Sequence, residues 1–515
     1  MLKSKIAVLL AAATILPVAC NKGEVEENAV PDGPQVVNIY ANPVDDGSQT
    51  GTKALFTNES NSRWYWQESD VIGVATENTD TLTPLKFQLM EGVYALFSGK
   101  IYNKIGRYAI YPYSPEHKIN GTVLTFHLPS EYTYKEYNSD YYYADGMPVS
   151  ANPPLYAKLA ENPTLDNMFT QFKHLGAMIC VKIIVPGREG TVTLTADRRI
   201  CGDFEANLKY SSPIIMTDIE KPETPTDNVV TIHYSDAVPG STMVCYYPVP
   251  EGLYNLTVTS KGWKIGEDGD TEMGFTKSGS KEYPMEAGSI QRIDLTGVQH
   301  ETTGRYRING HIFLDLGLES GVLWAETNIG ASAPVEDGDF FCWGETKPKE
   351  DYSWGTYKYG NGETTITKVK CTKYNPEDSK TLLEPSDDAA TANWGSPCRI
   401  PTIEEARALL GVYHERDAEI AASGDKVGGF RFSCAATGQN IFIPLSGPRY
   451  QHTKQMRIKG YYWTTALSSA SADSLGRKAQ ILYVYQLVNE FAVNCQDVWR
   501  IYGATIRPVA DKPKE

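Results

Sequence analysis

The segment DLGLESGVLWAETNIG, from Asp315 to Gly330, decides how the C-terminal part of this 515-residue chain is interpreted. It places one tryptophan and three acidic side chains among three glycines, and GDFFCWGET at 338–346 repeats the combination soon afterwards. Aromatic rings beside carboxylates are typical of a sugar site or a metal site. They are equally typical of the packed core of a compact β-rich domain.

The order of residues inside this segment favours a structural role. Glu319 and Ser320 stand directly before Gly321, which is a typical turn sequence. The flanking residues suit a strand–turn–strand: Leu316, Leu318, Val322 and Leu323, with Trp324 after the second strand. The segment therefore predicts the opening element of a C-terminal domain, and a ligand site is sought in less patterned loops.

Composition and charge exclude some classes of function. The 32 Tyr, 43 Gly and 30 Pro residues favour a β-rich, loop-rich protein. The formal net charge of −15 gives no electrostatic footprint for nucleic acid, so no nucleic-acid partner is expected. The cysteines after Cys20 divide into three in the middle of the chain and five near its end, so no disulfide framework is predicted.

The N-terminus has the pattern of an export signal. Lys3 and Lys5 precede an apolar run that is too short to span a membrane, so residues 1–19 are predicted to be a signal peptide. Cys20 follows LPVA, which resembles a bacterial lipobox, and Cys20 is therefore predicted to carry acyl chains such as palmitate. The polar residues 20–35 would form the tether. An ordinary cleaved signal with an incidental cysteine is the alternative.

The rest of the chain divides by pattern into β-rich and mixed regions. Short runs rich in β-branched and aromatic residues, separated by Gly, Pro, Asn and Asp, predict two β-sandwiches at 36–170 and 171–298. Residues 299–310 are predicted to be a polar linker, and 311–511 an α+β domain. The fold class is thus mainly β: two β-sandwiches followed by an α+β domain.

Few segments have helical patterns. PPLYAKLAENP at 153–163 predicts one short helix in the β-rich region. In PTIEEARALLG, Thr402 and Glu405 predict a capping box. In SDDAATANWG, Ser386 is the predicted N-cap and Gly395 the predicted stop.

The β-rich region resembles the fimbrillin-like proteins of Bacteroidales. The resemblance is carried, in order, by GTKALF, WYWQESDVIGVA, GRYAIYPYS and FKHLGAMICVKI, which span both predicted sandwiches. It implies a pilus subunit that travels as a lipoprotein, is proteolysed near its N-terminus, and joins other pilus subunits by β-strand complementation. No Arg-based processing site precedes the first strand, which puts that proteolysis in question.

The region from Gly310 onward is similar to the major paralogous domain described in Fibrobacter. The matching blocks are DLGLESGVLWAETNIGAS, GDFFCWGET, DDAATANWGSPCRIPTIEEARALL, IFIPLSG, GYYWTT and GATIRPV. The resemblance implies a C-type-lectin-like fold, related to that of the formylglycine-generating enzymes. The last residues, IRPVADKPKE, offer no donor strand for a following subunit, and this favours a tip position in a pilus.

The sequence predicts neither an enzyme nor a cofactor site. HExxH, GxSxG and P-loop motifs are absent. Cys434 and Cys495 are the late cysteines that an oxidase-like mechanism would need, and structural cysteines are the preferred interpretation. EPSDDA at 384–389 superficially resembles the Glu-Pro motif of calcium-dependent lectins, but acidic residues are also favoured in a first helical turn.

The ligand-binding candidates are aromatic and polar residues in loops. Trp354 and Tyr357, in DYSWGTYKYGNGE, lie among polar residues and glycines and are expected to be exposed, while Tyr450 and His452 lie in GPRYQHTKQ. An aromatic face can stack on a sugar ring while neighbouring polar groups bind the hydroxyls. Trp324, Trp343, Trp394 and Trp463 are predicted to be core residues instead.

These observations predict a cell-surface adhesin, as a tip or accessory subunit of a pilus, lipid-anchored to the outer membrane. Its partners would be other pilus subunits and a host or bacterial surface glycan or protein. The alternative is a stand-alone surface lipoprotein that binds glycan for nutrient capture.

Overall fold

A computed structural model of the chain describes residues 34–42, 66, 68–77, 79–91, 94–134, 154–160, 168–210, 213–219, 226–469, 475–488 and 490–514. The prediction of a mainly β fold is confirmed, since strands dominate these ranges and the α-helices within them are α1 (Ala389–Trp394) and α2 (Ile403–Leu409). Neither helix is long and apolar enough to cross a membrane.

The N-terminal strands form one large sheet and parts of two others. Eight of them lie in the order β10-β1-β4-β3-β2-β5-β9-β11, and β1 runs parallel to β10 but antiparallel to β4. The strands are β1 (Gln35–Asn42), β2 (Val71–Thr76), β3 (Leu82–Glu91), β4 (Tyr94–Ile101), β5 (Ile105–Tyr111), β6 (Lys118–Asn120), β7 (Val123–Leu128), β8 (Glu131–Thr133), β9 (Leu155–Lys158), β10 (Met168–Gln171) and β11 (Lys173–His174).

The short helix predicted at 153–163 is wrong. Leu155–Lys158 is β9, which pairs with β5 and with β11. Leu155, Tyr156 and Ala157 are all buried, so the strand is covered on both faces. A strand buried on both sides gives a continuous apolar run rather than an alternating one, and such a run resembles a short buried helix.

The middle strands form a β-sandwich around a core of alternating apolar residues. Ile179, Val181 and Ile183 of β12 point into this core, where they meet Val192 and Leu194 of β13. The strands are β12 (Ala177–Ile184), β13 (Gly190–Ala196), β14 (Gly202–Asn207), β15 (Ile214–Ile215), β16 (Val229–Tyr234), β17 (Thr242–Val249), β18 (Gly252–Tyr254), β19 (Leu256–Lys264), β20 (Asp270–Ser278), β21 (Tyr283–Met285) and β22 (Ile290–Asp294).

Sheets cross the predicted boundary at 170/171. β7 pairs antiparallel with β14, and β8 pairs parallel with β16. Phe126 of β7 stacks on Phe204 of β14 with 5.7 Å between the ring centroids. The two predicted sandwiches therefore share hydrogen-bonded sheets across residues 170/171. A domain boundary at this point stays a prediction.

The C-terminal region combines short strands with the two helices. Its strands are β23 (Glu301–Ile308), β24 (His311–Leu314), β25 (Leu323–Ala325), β26 (Tyr413–Ile420), β27 (Lys426–Ser433), β28 (Asn440–Pro444), β29 (Arg449–Tyr450), β30 (Thr453–Lys454), β31 (Lys459–Leu467), β32 (Lys478–Gln486), β33 (Phe491–Trp499) and β34 (Val509–Ala510). A single 3₁₀ turn, Pro385–Asp387, precedes α1.

The linker predicted at 299–310 is wrong, because most of it is strand β23. This strand pairs with β20 on one side and β24 on the other, so one sheet runs β34-β25-β24-β23-β20-β19-β13-β16-β8. Tyr306 and Ile308 are buried, whereas Arg305 and Arg307 alternate with them. The first half of the strand, residues 301–304, has no large apolar side chain, so the sequence shows only Tyr306 and Ile308 as an alternating apolar pair.

The segment 315–330 is structural, as the sequence predicts. Leu316, Val322, Leu323 and Trp324 are buried, and Gly321 takes φ 72° in a turn where its N–H donates to the Leu318 carbonyl at 2.8 Å. The antiparallel pair is β24 with β25, so the first strand lies earlier than predicted. Leu316 and Leu318 occupy the connecting turn instead.

The predicted helices are present, with one correction at a cap. Around α2, Thr402 Oγ1 accepts from the Glu405 N–H at 3.1 Å, and the Glu405 carboxylate accepts from the Thr402 N–H at 2.8 Å, which confirms the capping box. The N-cap of α1 is Asp388 rather than Ser386, because its carboxylate accepts from the N–H groups of Ala390 and Thr391. Gly395 ends α1 as predicted, with φ 79°.

Candidate functional site

The two loops singled out in the sequence, 351–363 and 448–458, meet in the folded chain. The Tyr352 N–H donates to the Gln451 carbonyl at 3.0 Å, and the Gln451 N–H donates back to Tyr352 at 2.9 Å. The Tyr352 hydroxyl also donates to the Phe340 carbonyl at 2.8 Å, which adds a third segment. Two stretches that are close in sequence, around Phe340 and Tyr352, are thus held beside the distant stretch around Gln451 by backbone and phenol hydrogen bonds.

A cavity of about 370 Å³ lies where these three stretches meet. Its volume falls in the range of small-ligand sites, roughly 300–1,000 Å³. Its lining is Gly338, Asp339, Phe340, Pro348, Lys349, Glu350, Tyr352, Arg449 and His452. Charged groups of both signs therefore surround an aromatic ring, and this is the candidate functional site.

The cavity is built from a hairpin and two loops. β29 and β30 form a two-stranded hairpin, with Gln451 at φ 52° in its turn, and this hairpin carries Arg449 and His452. The Arg449 N–H donates to the Gly503 carbonyl, and the Gly503 N–H donates to the Arg449 carbonyl, both at 2.8 Å. The hairpin base is therefore fixed to the backbone of the domain core.

Beside Lys349, which is paired with Glu345 at 2.9 Å, the cavity is lined by the cation Arg449. Its guanidinium carbon lies 5.0 Å from the centroid of the Phe340 ring, a cation–π arrangement. Lys454 approaches the same ring at 5.6 Å but is paired with Asp337. Sequence reasoning missed Arg449, although it stands beside a predicted candidate, because a single arginine in a polar loop gives no distinctive signal.

His452 and Tyr450 are on the surface, and they differ in their relation to the cavity. His452 is exposed and lines the cavity, which places one of the predicted residues at the site. Tyr450 is 39% exposed and lies outside the lining, with its ring 5.5 Å from the ring of Tyr502. Ligand binding by either residue remains a prediction.

The expected exposure of Trp354 and Tyr357 is wrong, since both are buried. The Tyr357 hydroxyl donates to the Trp343 carbonyl at 2.7 Å and accepts from Arg500 Nε at 2.8 Å. Burial raises the pKa of Tyr357 well above its ordinary value. The neighbouring polar residues turn to solvent while these rings cover the core, so neither ring is placed to stack on a ligand.

The carboxylates of EPSDDA are occupied by internal partners rather than gathered for calcium. Asp387 accepts from Lys358 at 3.1 Å, Lys373 at 2.5 Å and the Tyr374 hydroxyl at 2.7 Å. Asp388 caps α1 and also accepts from the Ile400 N–H at 2.9 Å. Across the described ranges, no group of three or more His, Cys, Asp or Glu side chains is arranged to hold a metal ion.

The two late cysteines lie in different environments. Cys434 borders a second cavity, of about 770 Å³, beside the turn at 316–320, and Cys495 is not among the residues that line it. A hydrogen bond from Thr437 lowers the pKa of the Cys434 thiol, whereas burial raises the pKa of Cys495. All eight cysteines in the described part of the chain are free thiols. Cys20 lies outside the described residues.

No model of a protein family matches this sequence, and no curated protein matches it. Among solved structures, the chain is similar to a candidate cell adhesion protein from Bacteroides ovatus (12% identity, 52% of this chain and 95% of that one, TM-score 0.31). A candidate cell adhesion protein from Bacteroides thetaiotaomicron shows 15% identity over 51% and 94% of the two chains, with TM-score 0.27. A fimbrial protein from Bacteroides ovatus shows 10% identity over 94% and 100%, with TM-score 0.23. At these TM-scores the likeness carries no functional argument, so function is argued from the chain's own residues.

Proposed function

We propose that this chain is a cell-surface adhesin that serves as a tip or accessory subunit of a Bacteroidales pilus. The observation that carries the proposal is the cavity between residues 338–340, 348–352 and 449–452, because it offers a ligand a built site on a chain made largely of β-sheet. Adhesion requires binding without chemistry, and the fixed hairpin and mixed charges of the cavity suit that task. The ligand would be a glycan or protein on a host or bacterial surface.

The outer strands of the eight-stranded sheet are the proposed positions for assembly. Within the described residues, β10 and β11 are the outer strands of the eight-stranded sheet. A strand edge with unpaired backbone groups is where a strand from a neighbouring subunit can add. β34 is also an outer strand, paired with β25, but on its other side Val509 exchanges backbone hydrogen bonds with Arg399 at 2.9 and 3.0 Å. The proposed partners are therefore other pilus subunits that supply a strand to this chain.

The proposed location is the outer membrane and the fimbrium. Cys20 would carry the lipid anchor, and residues 20–35 would lead from it to β1, which begins at Gln35. An acyl anchor leaves the whole folded chain outside the membrane. This part of the proposal rests on the sequence pattern at the N-terminus.

Immunogold labelling of cells that assemble pili tests the proposal. An antibody against residues 311–511 is expected to mark filament ends or isolated points along the filaments. Label spread over the cell surface and missing from every filament would reject the pilus role. That second result would support the alternative, a stand-alone surface lipoprotein that captures glycan. Cells lacking the gene are the control for antibody specificity.

A further inference from the structure

The guanidinium of Arg449 has no carboxylate partner in the described part of the chain. Around it, the other cations are already paired: Lys349 with Glu345 at 2.9 Å, and Arg457 and Lys454 with Asp337. Arg449 instead lies over the Phe340 ring and borders the cavity. The guanidinium group is planar and always charged. Because no carboxylate of the described residues neutralises this one, it is suited to binding an anionic group through two parallel hydrogen bonds.

The same cavity also contains two carboxylates without a cationic partner among the described residues, Asp339 and Glu350. Each carboxylate oxygen accepts hydrogen bonds, and the hydroxyl groups of a sugar are suitable donors. A bare inorganic anion would be repelled by both carboxylates. A simple amine would leave Arg449 unused. The lining as a whole therefore matches a ligand with several hydroxyl groups and one negative charge.

From this arrangement we infer that the cavity binds the acidic sugar of a glycan. Arg449 holds the anionic group of the sugar, and Asp339 and Glu350 accept hydrogens from its hydroxyl groups. The inference rests on the proposed function, because it names the ligand class of the site through which the adhesin would act. A volume of about 370 Å³ gives room for one such sugar and its immediate neighbour.

The charge of the whole chain sets a limit on the glycan. With a formal net charge of −15, the protein repels polymers of high negative charge density over distances of about 8–10 Å at physiological salt. One anionic group at Arg449 is favourable, but a run of sulfated sugars around it is not. Oligosaccharides with a single acidic sugar should thus bind better than heparin.

Binding of the full chain to an array of matched glycans tests the inference. Sialyllactose, sulfated lactose and a glucuronic-acid disaccharide are printed beside their neutral scaffolds and beside heparin. At least one singly acidic glycan is expected to bind roughly tenfold or more tightly than its neutral scaffold, because a charge-assisted bidentate contact contributes that much. The carboxylate and sulfate arms show which anion is preferred. Equal binding of acidic and neutral members, binding of heparin alone, or no binding overturns the inference.

Substitutions assign the preference to Arg449. Arg449→Gln is expected to weaken the acidic glycan roughly tenfold to a hundredfold and to leave any binding of the neutral scaffold unchanged. Arg449→Lys keeps the charge but loses the fork, so it should restore part of the affinity. The matched control is Arg416→Gln, because Arg416 lies over Phe491 at 5.5 Å and is outside the cavity. It should bind like the wild type.

A second measurement keeps the inference testable if Arg449→Gln folds poorly. The wild-type affinity for the acidic glycan should fall as salt is raised from 50 to 300 mM, while the neutral scaffold is unaffected. A salt-independent affinity would contradict the role of Arg449. If the binding experiments are negative, the chain can still be located in pili. If the chain is absent from pili, the binding results still hold. The two proposals can therefore fail separately.

Discussion

At the scale of single residues, buried charges hold the C-terminal loops together. Arg507 is fully buried and donates to Asn328 Oδ1 at 2.8 Å, to the Phe442 carbonyl at 2.9 Å, and to the carbonyls of Ala325 and Glu326. Burial lowers the pKa of Arg507 to about 10. These bonds connect β25 to β28. The side chain of Arg507 thus fixes the segment at the start of the C-terminal domain to a strand far from it in sequence.

The buried carboxylate of Asp387 also holds neighbouring loops together through hydrogen bonds. Substitution of Asp387 tests how much these bonds stabilise the domain. Asp387→Asn should reduce the free energy of unfolding by roughly 2–4 kcal/mol at pH 7, because it leaves the Lys358 and Lys373 ammonium groups without their buried partner. Urea denaturation of the C-terminal domain measures the change. Asp425→Asn is the control, since Asp425 is exposed and contacts Ser423. It should change stability by less than about 0.5 kcal/mol.

The same substitution predicts a dependence on pH. Burial opposes ionisation of Asp387, but hydrogen bonds from Lys373, Tyr359, Tyr374 and Lys358 outweigh burial and lower the pKa of its carboxyl below the ordinary value. A lowered pKa contributes stability above the unfolded-state pKa, near 4, and that stability is lost as the pH falls toward the folded-state value. The gap between wild type and Asp387→Asn should thus narrow from pH 7 to pH 3. A constant gap would contradict this assignment.

At the scale of elements, β23 decides where the C-terminal domain begins. Asn309 and Gly310 both have positive φ, 49° and 81°, and connect β23 to β24. Two positive φ values with Asn-Gly are typical of a tight hairpin turn. The Asn309 amide also donates to the carbonyls of Trp394 and Ser396 at 2.9 and 3.0 Å, which fastens the turn to the end of α1.

A comparison of two shortened chains tests the role of β23. Residues 299–514, which retain β23, should unfold at higher urea than residues 311–514, which lack it. Loss of the buried Tyr306 and Ile308 side chains should cost roughly 3–6 kcal/mol, at about 1.5–3 kcal/mol for each. If the two chains unfold with equal urea midpoints and equal slopes, β23 does not stabilise the C-terminal domain, and residues 299–310 are better described as a linker.

At the scale of the whole molecule, the three predicted folded regions are connected by sheets. The pairing of β7 with β14, β8 with β16, and β20 with β23 links each of these regions to the next. Arg307 strengthens the last of these junctions, since it bonds Asp270 at 2.7 Å and Glu189 at 2.5 Å. A pulling force on a ligand bound in the C-terminal cavity would thus be carried by the backbone hydrogen bonds of these sheets.

The proposed anchor predicts where the whole molecule is found. Cys20→Ala should prevent acylation, so most of the protein should move from the outer-membrane fraction to the soluble fraction, and labelled palmitate should no longer be incorporated. One or two acyl chains supply most of the membrane affinity of a lipoprotein. Cys434→Ala is the matched control, because it removes a thiol far along the chain. Retention of the Cys20→Ala protein in the membrane would reject the lipid anchor.

The sequence by itself determined the local features of this protein. The mainly β class, the capping box of Thr402 and Glu405, and the structural role of 315–330 follow from side-chain alternation and from contacts a few residues apart. The Asn-Gly turn was also present in the sequence as a hairpin signal, but the first half of β23, residues 301–304, lacks large apolar side chains and hid the strand before it.

Only the tertiary structure decided which loop residues face solvent and which chain segments meet. Trp354 and Tyr357 stand among glycines and polar residues, and both are nevertheless buried. The Tyr357 hydroxyl bonds to Trp343 and Arg500, 14 and 143 residues away, and the Trp354 ring packs 6.3 Å from the ring of Trp499. The cavity of Asp339, Glu350 and Arg449 likewise joins two neighbouring stretches of the chain to a distant hairpin. Local patterns record neighbours along the chain, whereas burial and ligand sites depend on neighbours in space.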